Sequence, residues 1–285
     1  MLKVVTAVVN NPVFIEIQYN TLKKYMTCDY EFIVFNDAKA FPDLTNGGDV
    51  TIRTQIEKVC EDLNITCINI PNDNHQVNRD PCIRCADAMN FILEYQKVNP
   101  WKYLCLDSDM FLVDFFDIKD YEKYTAAMVL QNRLNNEITY CWNGLYYFDF
   151  TIINNQELMD WGCDEFGKCD VGGRMRFWLR LQDNDLPTNN QIRDYEYGEY
   201  NVLNKSSLYF IKHLCSNGWD ESEYPDNLAL PLLEFLKNDP RNRDGKIFCE
   251  LYDKKFLHYR AGGNWNMEGM KFHHELSLNF KKFLS

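Results

Sequence analysis

Lys102-Tyr103-Leu104-Cys105-Leu106-Asp107-Ser108-Asp109-Met110-Phe111-Leu112 is the stretch from which the fold of this chain is read. A mostly apolar run leads into two carboxylates one residue apart, and the chain then turns apolar again. Behind a helix-like segment, such a run reads as a buried strand of a parallel sheet. In open α/β sheets, ligands bind beyond the carboxyl ends of the strands. Asp107 and Asp109 stand at such an end. An Asp-x-Asp there can hold a divalent cation, and the cation can hold a diphosphate. The plain alternative is a strand-end turn with solvated carboxylates. A second Asp-x-Asp, Asp183-Asn184-Asp185, lies in a polar stretch with no strand before it.

The residues upstream supply the rest of a parallel sheet. Residues 2–9 are an apolar run stopped by Asn10-Asn11-Pro12. Pro12 suits the first turn of a helix, with Asn11 as its N-cap. Val13, Phe14, Ile17, Leu22, Tyr25 and Met26 repeat at helical spacing. Tyr30 to Phe35 reads as a second strand, Ile52 to Leu63 as a helix, and Ile65 to Ile70 as a third strand. Asp80-Pro81 opens a helix to about Tyr95. The order β-α-β-α-β-α-β over residues 1–110 predicts a parallel sheet with right-handed crossovers. The turns Asn10-Asn11 and Asn36-Asp37 carry side chains that can face a nucleotide. Neither Gly-x-Gly-x-x-Gly after the first strand nor a P-loop sequence is present.

Beyond residue 110 the pattern changes. Strands are predicted at Ala126–Gln131 and Gly144–Phe150, and helices near 155–162, 171–182 and 226–237. Tryptophans are spread between them, which suits a mixed half that builds a substrate surface. No internal repeat or low-complexity linker divides the chain, so a single domain over 1–285 is expected. Lys255 to Trp265 reads as a short strand and a glycine turn, with His258 a metal-ligand candidate and Gly262-Gly263 able to bring N–H groups close to an anion.

Bulk properties exclude several roles. The chain has 285 residues, 46% hydrophobic and 25% charged, which is long and apolar enough to bury a large core. Its net charge of −12 and lack of a basic run argue against nucleic-acid binding and against polybasic docking to membranes. No apolar run reaches transmembrane length, and Met1-Leu2-Lys3-Val4-Val5 leads straight into a strand with no leader pattern. A soluble cytoplasmic protein is therefore expected. Eleven cysteines, an odd and scattered set, fit reduced thiols better than a disulfide framework. Cys82-Ile83-Arg84-Cys85 has no second pair at zinc spacing, and these read as helix cysteines.

The Leu106-Asp107-Ser108-Asp109 strand end and the tail His258-x-x-x-Gly262-Gly263-Asn264-Trp265 together resemble GT-A fold glycosyltransferases. The layout is similar to glycogenin-like enzymes and to small glycosyltransferases of large DNA viruses, a source that would put the protein in a host cytoplasm. The resemblance implies an α/β, Rossmann-like GT-A fold. Its mostly parallel central sheet would be flanked by helices, with a nucleotide-sugar-binding half at 1–110, a mixed acceptor-side half at 111–254, and a metal- and diphosphate-binding tail at 255–285. It implies a donor site that includes Val8, Asn10, Asn36, Asp37, Ser108, Gly262, Gly263, Asn264 and Trp265. Arg84, Asp87 and Asn90 look like its donor-contacting helix. Trp142, Asn143 and Gly144 look like the segment where donor sugar and acceptor meet. Asp170-Val171-Gly172-Gly173 resembles an acceptor-side carboxylate loop. Where glycogenin-like enzymes have a lysine after the glycine, this chain has Asn264.

The implied activity is transfer of a hexosyl or pentosyl group from a nucleotide-diphosphate sugar, UDP favoured, to a glycan. Asp107, Asp109 and His258 would hold Mn²⁺, or Mg²⁺, against the leaving diphosphate. An inverting transfer needs a carboxylate base; Asp170 is the candidate, with Asp149, Asp164 and Glu165 as rivals. Arg84 and Asp87 are three apart on one helix face, which also fits a surface ion pair. A sugar-phosphate nucleotidyltransferase would want a Gly-rich basic loop after the first strand, and a phosphatase its Asp-x-Asp on that strand. A non-catalytic carbohydrate-binding protein of the same fold is the remaining class. As a strand-end ligand, Asp109 is expected to tolerate Asn with little loss of stability.

Overall fold

A computed structural model describes residues 1–72, 80–133, 138–163, 169–182, 199–201, 207–214, 228–244, 247–263 and 268–284. Its first half alternates as the sequence predicts: β1 Leu2–Val8, α1 Val13–Tyr25, β2 Tyr30–Asn36, α2 Ile52–Asp62, β3 Thr66–Asn69, α3 Pro81–Val98 and β4 Lys102–Leu106. Then come β5 Met110–Leu112, β6 Ala126–Arg133, β7 Ile138–Asp149, α4 Met175–Gln182, β8 Glu199–Asn201, β9 Ser207–Phe210 and β10 His213–Leu214. The last elements are α5 Leu230–Lys237, β11 Glu250–Tyr252, β12 Phe256–His258 and α6 Met270–Leu284. The fold is α/β, with helices flanking a mostly parallel eight-stranded sheet of order β3-β2-β1-β4-β7-β6-β9-β8. A four-stranded sheet runs β10-β11-β12-β5. Among the described residues no helix is long and apolar enough to cross a membrane, and all ten described cysteines are free thiols.

The chain packs as two compact units. One comprises residues 1–4, 70–105 and 118–212. Here β6 pairs antiparallel with β7 and parallel with β9, and β8 is antiparallel to β9, the mixed pairing expected of this half. Its core is aromatic: Trp161 lies 4.8 Å from Tyr146 and 6.2 Å from Phe148, and Trp178 lies 5.5 Å from Phe148. Burying such rings is the main stabilising term for a layer of this kind.

The other unit comprises residues 5–69, 106–117 and 213–285. In it α1 lies against β5 and α6. Phe14 of α1 meets Phe111 of β5 at 5.6 Å and Tyr259 at 5.6 Å, and Phe280 of α6 closes on Tyr259 at 5.0 Å. The helical repeat Val13, Phe14, Ile17 supplies one side of this core, and Phe111 and Val113, Cys249 and Leu251, and Leu257 and Tyr259, alternate positions along β5, β11 and β12 and the residues beside them, face it.

Several local expectations are corrected. Asn11 is not a side-chain cap: it turns with a φ of 36°, and Pro12 takes the cap position with no side-chain bond. The helix predicted near 155–162 is only the 3₁₀ turn Gln156–Leu158, because Asn155 is left-handed and Met159 extended, which carries Trp161 into the aromatic core. The strand predicted at Gly144–Phe150 starts six residues earlier, at Ile138. Helix α4 starts at Met175, after a turn in which Gly172 has a φ of 92° and would set a Cβ 2.2 Å from the Cys141 carbonyl. Helix α5 starts at Leu230.

Candidate metal centre

Strand β4 ends at Leu106, and the chain turns through Asp107 to Asp109 into β5, with the Met110 N–H donating to the Asp107 carbonyl at 3.1 Å. Gln18, from the apolar face of α1, braces this turn: its Nε2 donates to the carbonyls of Asp107 at 2.8 Å and Met110 at 3.1 Å. Strand β12 runs antiparallel to β5 in a register that sets His258 opposite Met110. The Tyr259 N–H then donates to the Asp109 carbonyl at 2.8 Å. A residue about 150 positions away in sequence is thereby delivered to the Asp-x-Asp.

The side chains converge accordingly. Nε2 of His258 stands 3.1 Å from Asp109 Oδ1 and 3.9 Å from Asp107 Oδ2. Asp109 Oδ2 accepts the Gly262 N–H at 2.6 Å. His258 and Asp109 are buried, whereas 37% of the Asp107 side chain meets solvent. Glu250, opposite His258 on β11, faces the other imidazole nitrogen, with Oε2 3.0 Å from Nδ1.

Electrostatics follow from this packing. Partial burial, then the Asp109 charge, raise the Asp107 carboxyl above the usual carboxylate range. Burial would raise Asp109 too, but the His258 charge, its hydrogen bond and the Gly262 N–H hold it below the usual range. Burial would lower His258, yet Asp109 and Glu250 raise it to about 10. A protonated imidazole thus balances clustered carboxylates, the place a cation would take. One ligand atom each from Asp107, Asp109 and His258 lie within 4.8 Å of one another. Two ligands about 2.0–2.6 Å from one ion stand at most about 5.2 Å apart, so the set fits a shared cation. Two carboxylates and an imidazole are donors that a divalent cation accepts.

The other donor-site residues of this unit divide by what they already bond. Val8 is buried and its carbonyl accepts the Asp37 N–H at 2.9 Å. Asn10 donates to the carbonyls of Thr45 at 2.7 Å and Gly263 at 3.0 Å. A Cβ on Gly263 would lie 4.0 Å from both Asn10 Oδ1 and Ser108 Oγ, so the end of β1, the Asp-x-Asp turn and the tail meet. Asn36 donates to the Arg53 carbonyl and accepts the Ala38 N–H, both at 3.1 Å, and Asp37 pairs with buried Lys39 at 2.8 Å. The Gly262 N–H is bonded to the Asp109 carboxylate rather than left open to a phosphate; a Cβ there would strike Phe14 and Tyr259 at 2.7 and 2.8 Å. Asn264 and Trp265 lie outside the described residues, as do Asp164, Glu165 and Asp183-Asn184-Asp185.

The remaining residues belong to the other unit. Arg84 is buried on α3. Asn90 donates to Asp160 at 3.0 Å and accepts the Trp161 N–H at 2.8 Å, so both ends of its amide hold the 160–161 loop. Asp87 is exposed on the same helix. The Trp142 ring folds over Gly144, where a Cβ would stand 2.2 Å from it. Asn143 donates to Cys85 Sγ at 3.6 Å. Asp170 is exposed; its Oδ1 accepts the Val171 N–H at 2.8 Å, and the following Gly172 N–H donates to the Trp161 carbonyl.

Sequence reading missed Glu250 and Gln18; it singled out the Asn10-Asn11 turn as one whose side chains can face a nucleotide. Both polar atoms of the Asn11 side chain are buried with no hydrogen-bond partner among the described residues. The signal for Gln18 was present, a glutamine inside an otherwise apolar helix face. Nothing local marks Glu250, which depends on strand register.

No protein-family model matches the chain, and no curated protein matches it. Among solved structures it is similar to a galactosyltransferase, LgtC, in complex with donor and acceptor sugar analogues, at 11% identity and a TM-score of 0.35. The match covers 52% of this chain and 58% of that one. A likeness of this extent bears on neither activity nor substrate.

Proposed function

We propose that the protein is a GT-A-type glycosyltransferase, a single functional domain over 1–285, that moves a sugar from a nucleotide-diphosphate donor, UDP favoured, to a glycan. The observation that carries this is the buried convergence of Asp109 and His258 with Asp107 at the carboxyl end of a central strand. Supporting it, the Asn11 amide, just past β1, is buried and without a partner among the described residues, an expense that a nucleoside would relieve. A bound Mn²⁺ or Mg²⁺ supplies Lewis-acid neutralisation of the leaving diphosphate. The chain's own part is to hold the ligands in place: Gln18 fixes the turn, Gly262 fixes the Asp109 carboxylate, and Glu250 faces the imidazole. Arg84, Asp87 and Asn90 with Trp142, Asn143 and Gly144 serve donor and acceptor sugars.

Thermal unfolding with ligands tests the reading. Mn²⁺ with UDP is expected to raise Tm more than either alone, since ligands that bind the native state stabilise it by mass action. Equal stabilisation by UDP in excess EDTA would remove the metal from the proposal. Transfer is then assayed with a panel of UDP-sugars and oligosaccharides.

Asp170 is proposed as the base that takes the acceptor hydroxyl proton. Asp170→Asn is expected to lower turnover by about 10²–10⁴-fold, the range that general-base catalysis contributes. Donor affinity should be unchanged. Loss of donor affinity with intact turnover would make Asp170 a donor ligand, and the base would then be Asp149, Asp164 or Glu165 or, for a retaining enzyme, unnecessary.

A further inference from the structure

Glu250 lies outside the three-ligand cluster yet is bonded to one of its members. Strands β11 and β12 pair so that Glu250 stands directly opposite His258, and cross-strand neighbours share a face of the sheet. Glu250 Oε2 is 3.0 Å from His258 Nδ1 and accepts the Tyr252 hydroxyl at 2.9 Å. Its Oε1 is 3.7 Å from an Arg260 guanidinium nitrogen. Only 11% of the Glu250 side chain and 7% of that of His258 are exposed. The carboxylate is therefore held from two sides and aimed at one ring nitrogen.

A neutral imidazole carries its proton on one nitrogen and its lone pair on the other. A carboxylate can only accept, so at Nδ1 it stabilises the Nδ1–H form. With a cation in the cluster in place of the Nε2 proton, the lone pair is then on Nε2, the nitrogen that stands 3.1 Å from Asp109 and 3.9 Å from Asp107. We infer that Glu250 is the positioning residue of the metal centre: it selects the Nδ1–H tautomer of His258 and fixes the ring so that Nε2 faces the cation shared with Asp107 and Asp109. The Tyr252 hydroxyl, donating to the same oxygen, keeps the carboxylate turned to the imidazole. Partners of this kind set both orientation and basicity of a ligating histidine. The inference rests on the metal reading of the cluster given above.

The test uses the full chain and Mn²⁺ alone, without nucleotide, so that binding is read apart from turnover. Calorimetric titration compares the wild type with Glu250→Leu and Glu250→Gln. Glu250→Leu is expected to weaken Mn²⁺ by about 10–100-fold. Glu250→Gln should lose less, because an amide oxygen still accepts from Nδ1–H. Independently of any variant, ¹H–¹⁵N spectra of the Mg²⁺-loaded wild type, assigned with His258→Ala, should show the proton of His258 on Nδ1. A proton on Nε2 overturns the inference even if Glu250→Leu fails to fold. So does a folded Glu250→Leu that binds Mn²⁺ within about twofold of wild type, well inside the range such partners contribute. If the wild type binds no Mn²⁺, the metal reading itself falls and this inference with it; if the wild type binds and the variants match it, only this inference falls.

Discussion

Asp109→Asn is expected to abolish metal-dependent sugar transfer and to erase the rise in Tm that Mn²⁺ gives the wild type. The substitution keeps the size of the side chain and removes its charge, so what it tests is the carboxylate as a ligand. Asp109 is tightly held among the three candidate ligands. It is 3% exposed, its Oδ2 takes the Gly262 N–H at 2.6 Å, and its Oδ1 faces His258 at 3.1 Å. Those same contacts correct the expectation that a strand-end carboxylate can be exchanged at little cost to stability. An Asn oxygen can keep either the Gly262 bond or the contact with His258, but its NH₂ group must then face either a buried imidazolium or another donor. A buried group left without its partner costs about 1–3 kcal/mol, and that loss should appear in urea unfolding of the metal-free protein. Near-normal turnover, or an Mn²⁺ shift equal to the wild type's, would mean that this Asp-x-Asp is a turn and not a metal site.

The first half of the fold was legible because each element carries its own signal. β1, β2 and β4 are apolar runs with turn residues at their ends, and α1 and α2 show helical spacing between them. The Asp-x-Asp was legible for the same reason: the strand that makes it meaningful is adjacent in sequence. His258 could be named but not placed, since its place depends on β12 pairing with β5 across nearly 150 residues. Glu250 was invisible. Its role comes from the register of two three-residue strands, and strands that short have no periodicity to read. The misread helix near 155–162 has a different cause. Its apolar residues serve an aromatic cluster around Trp161, and burial of that ring outweighs any local helical spacing. Gly262 shows a further limit: a paired glycine was read as an open donor to an anion, while its N–H in fact meets the Asp109 carboxylate.

Arg241→Leu is expected to destabilise the protein by about 3–5 kcal/mol, the cost of leaving a buried charge without its partner. The guanidinium and Asp239 form that pair: Nη2 lies 2.7 Å from Oδ2 and Nε 3.0 Å from Oδ1, with side-chain exposures of 5% and 0%. The remaining donors reach the segment that follows His258 of the candidate metal centre. Nη1 donates to the Arg260 carbonyl at 2.7 Å and Nη2 to the Tyr259 carbonyl at 3.1 Å, and the group stacks 4.0 Å from the Tyr259 ring centre. That segment needs holding. Arg260 and Ala261 both have left-handed backbones, with φ of 64° and 59°, where each non-glycine residue costs of order 1–3 kcal/mol. The strained turn is what brings the Gly262 N–H onto Asp109. Arg241→Lys keeps the charge but not the planar fork, so it should fall between wild type and Leu. Replacing Asp239 as well should recover part of the loss, because it removes the orphaned carboxylate. Urea unfolding of the metal-free proteins measures all four, and Mn²⁺ affinity of the Lys variant reads the turn separately from the core. A Leu variant within about 0.5 kcal/mol of wild type, the range of ordinary surface substitutions, would show that the pair holds neither the fold nor the turn.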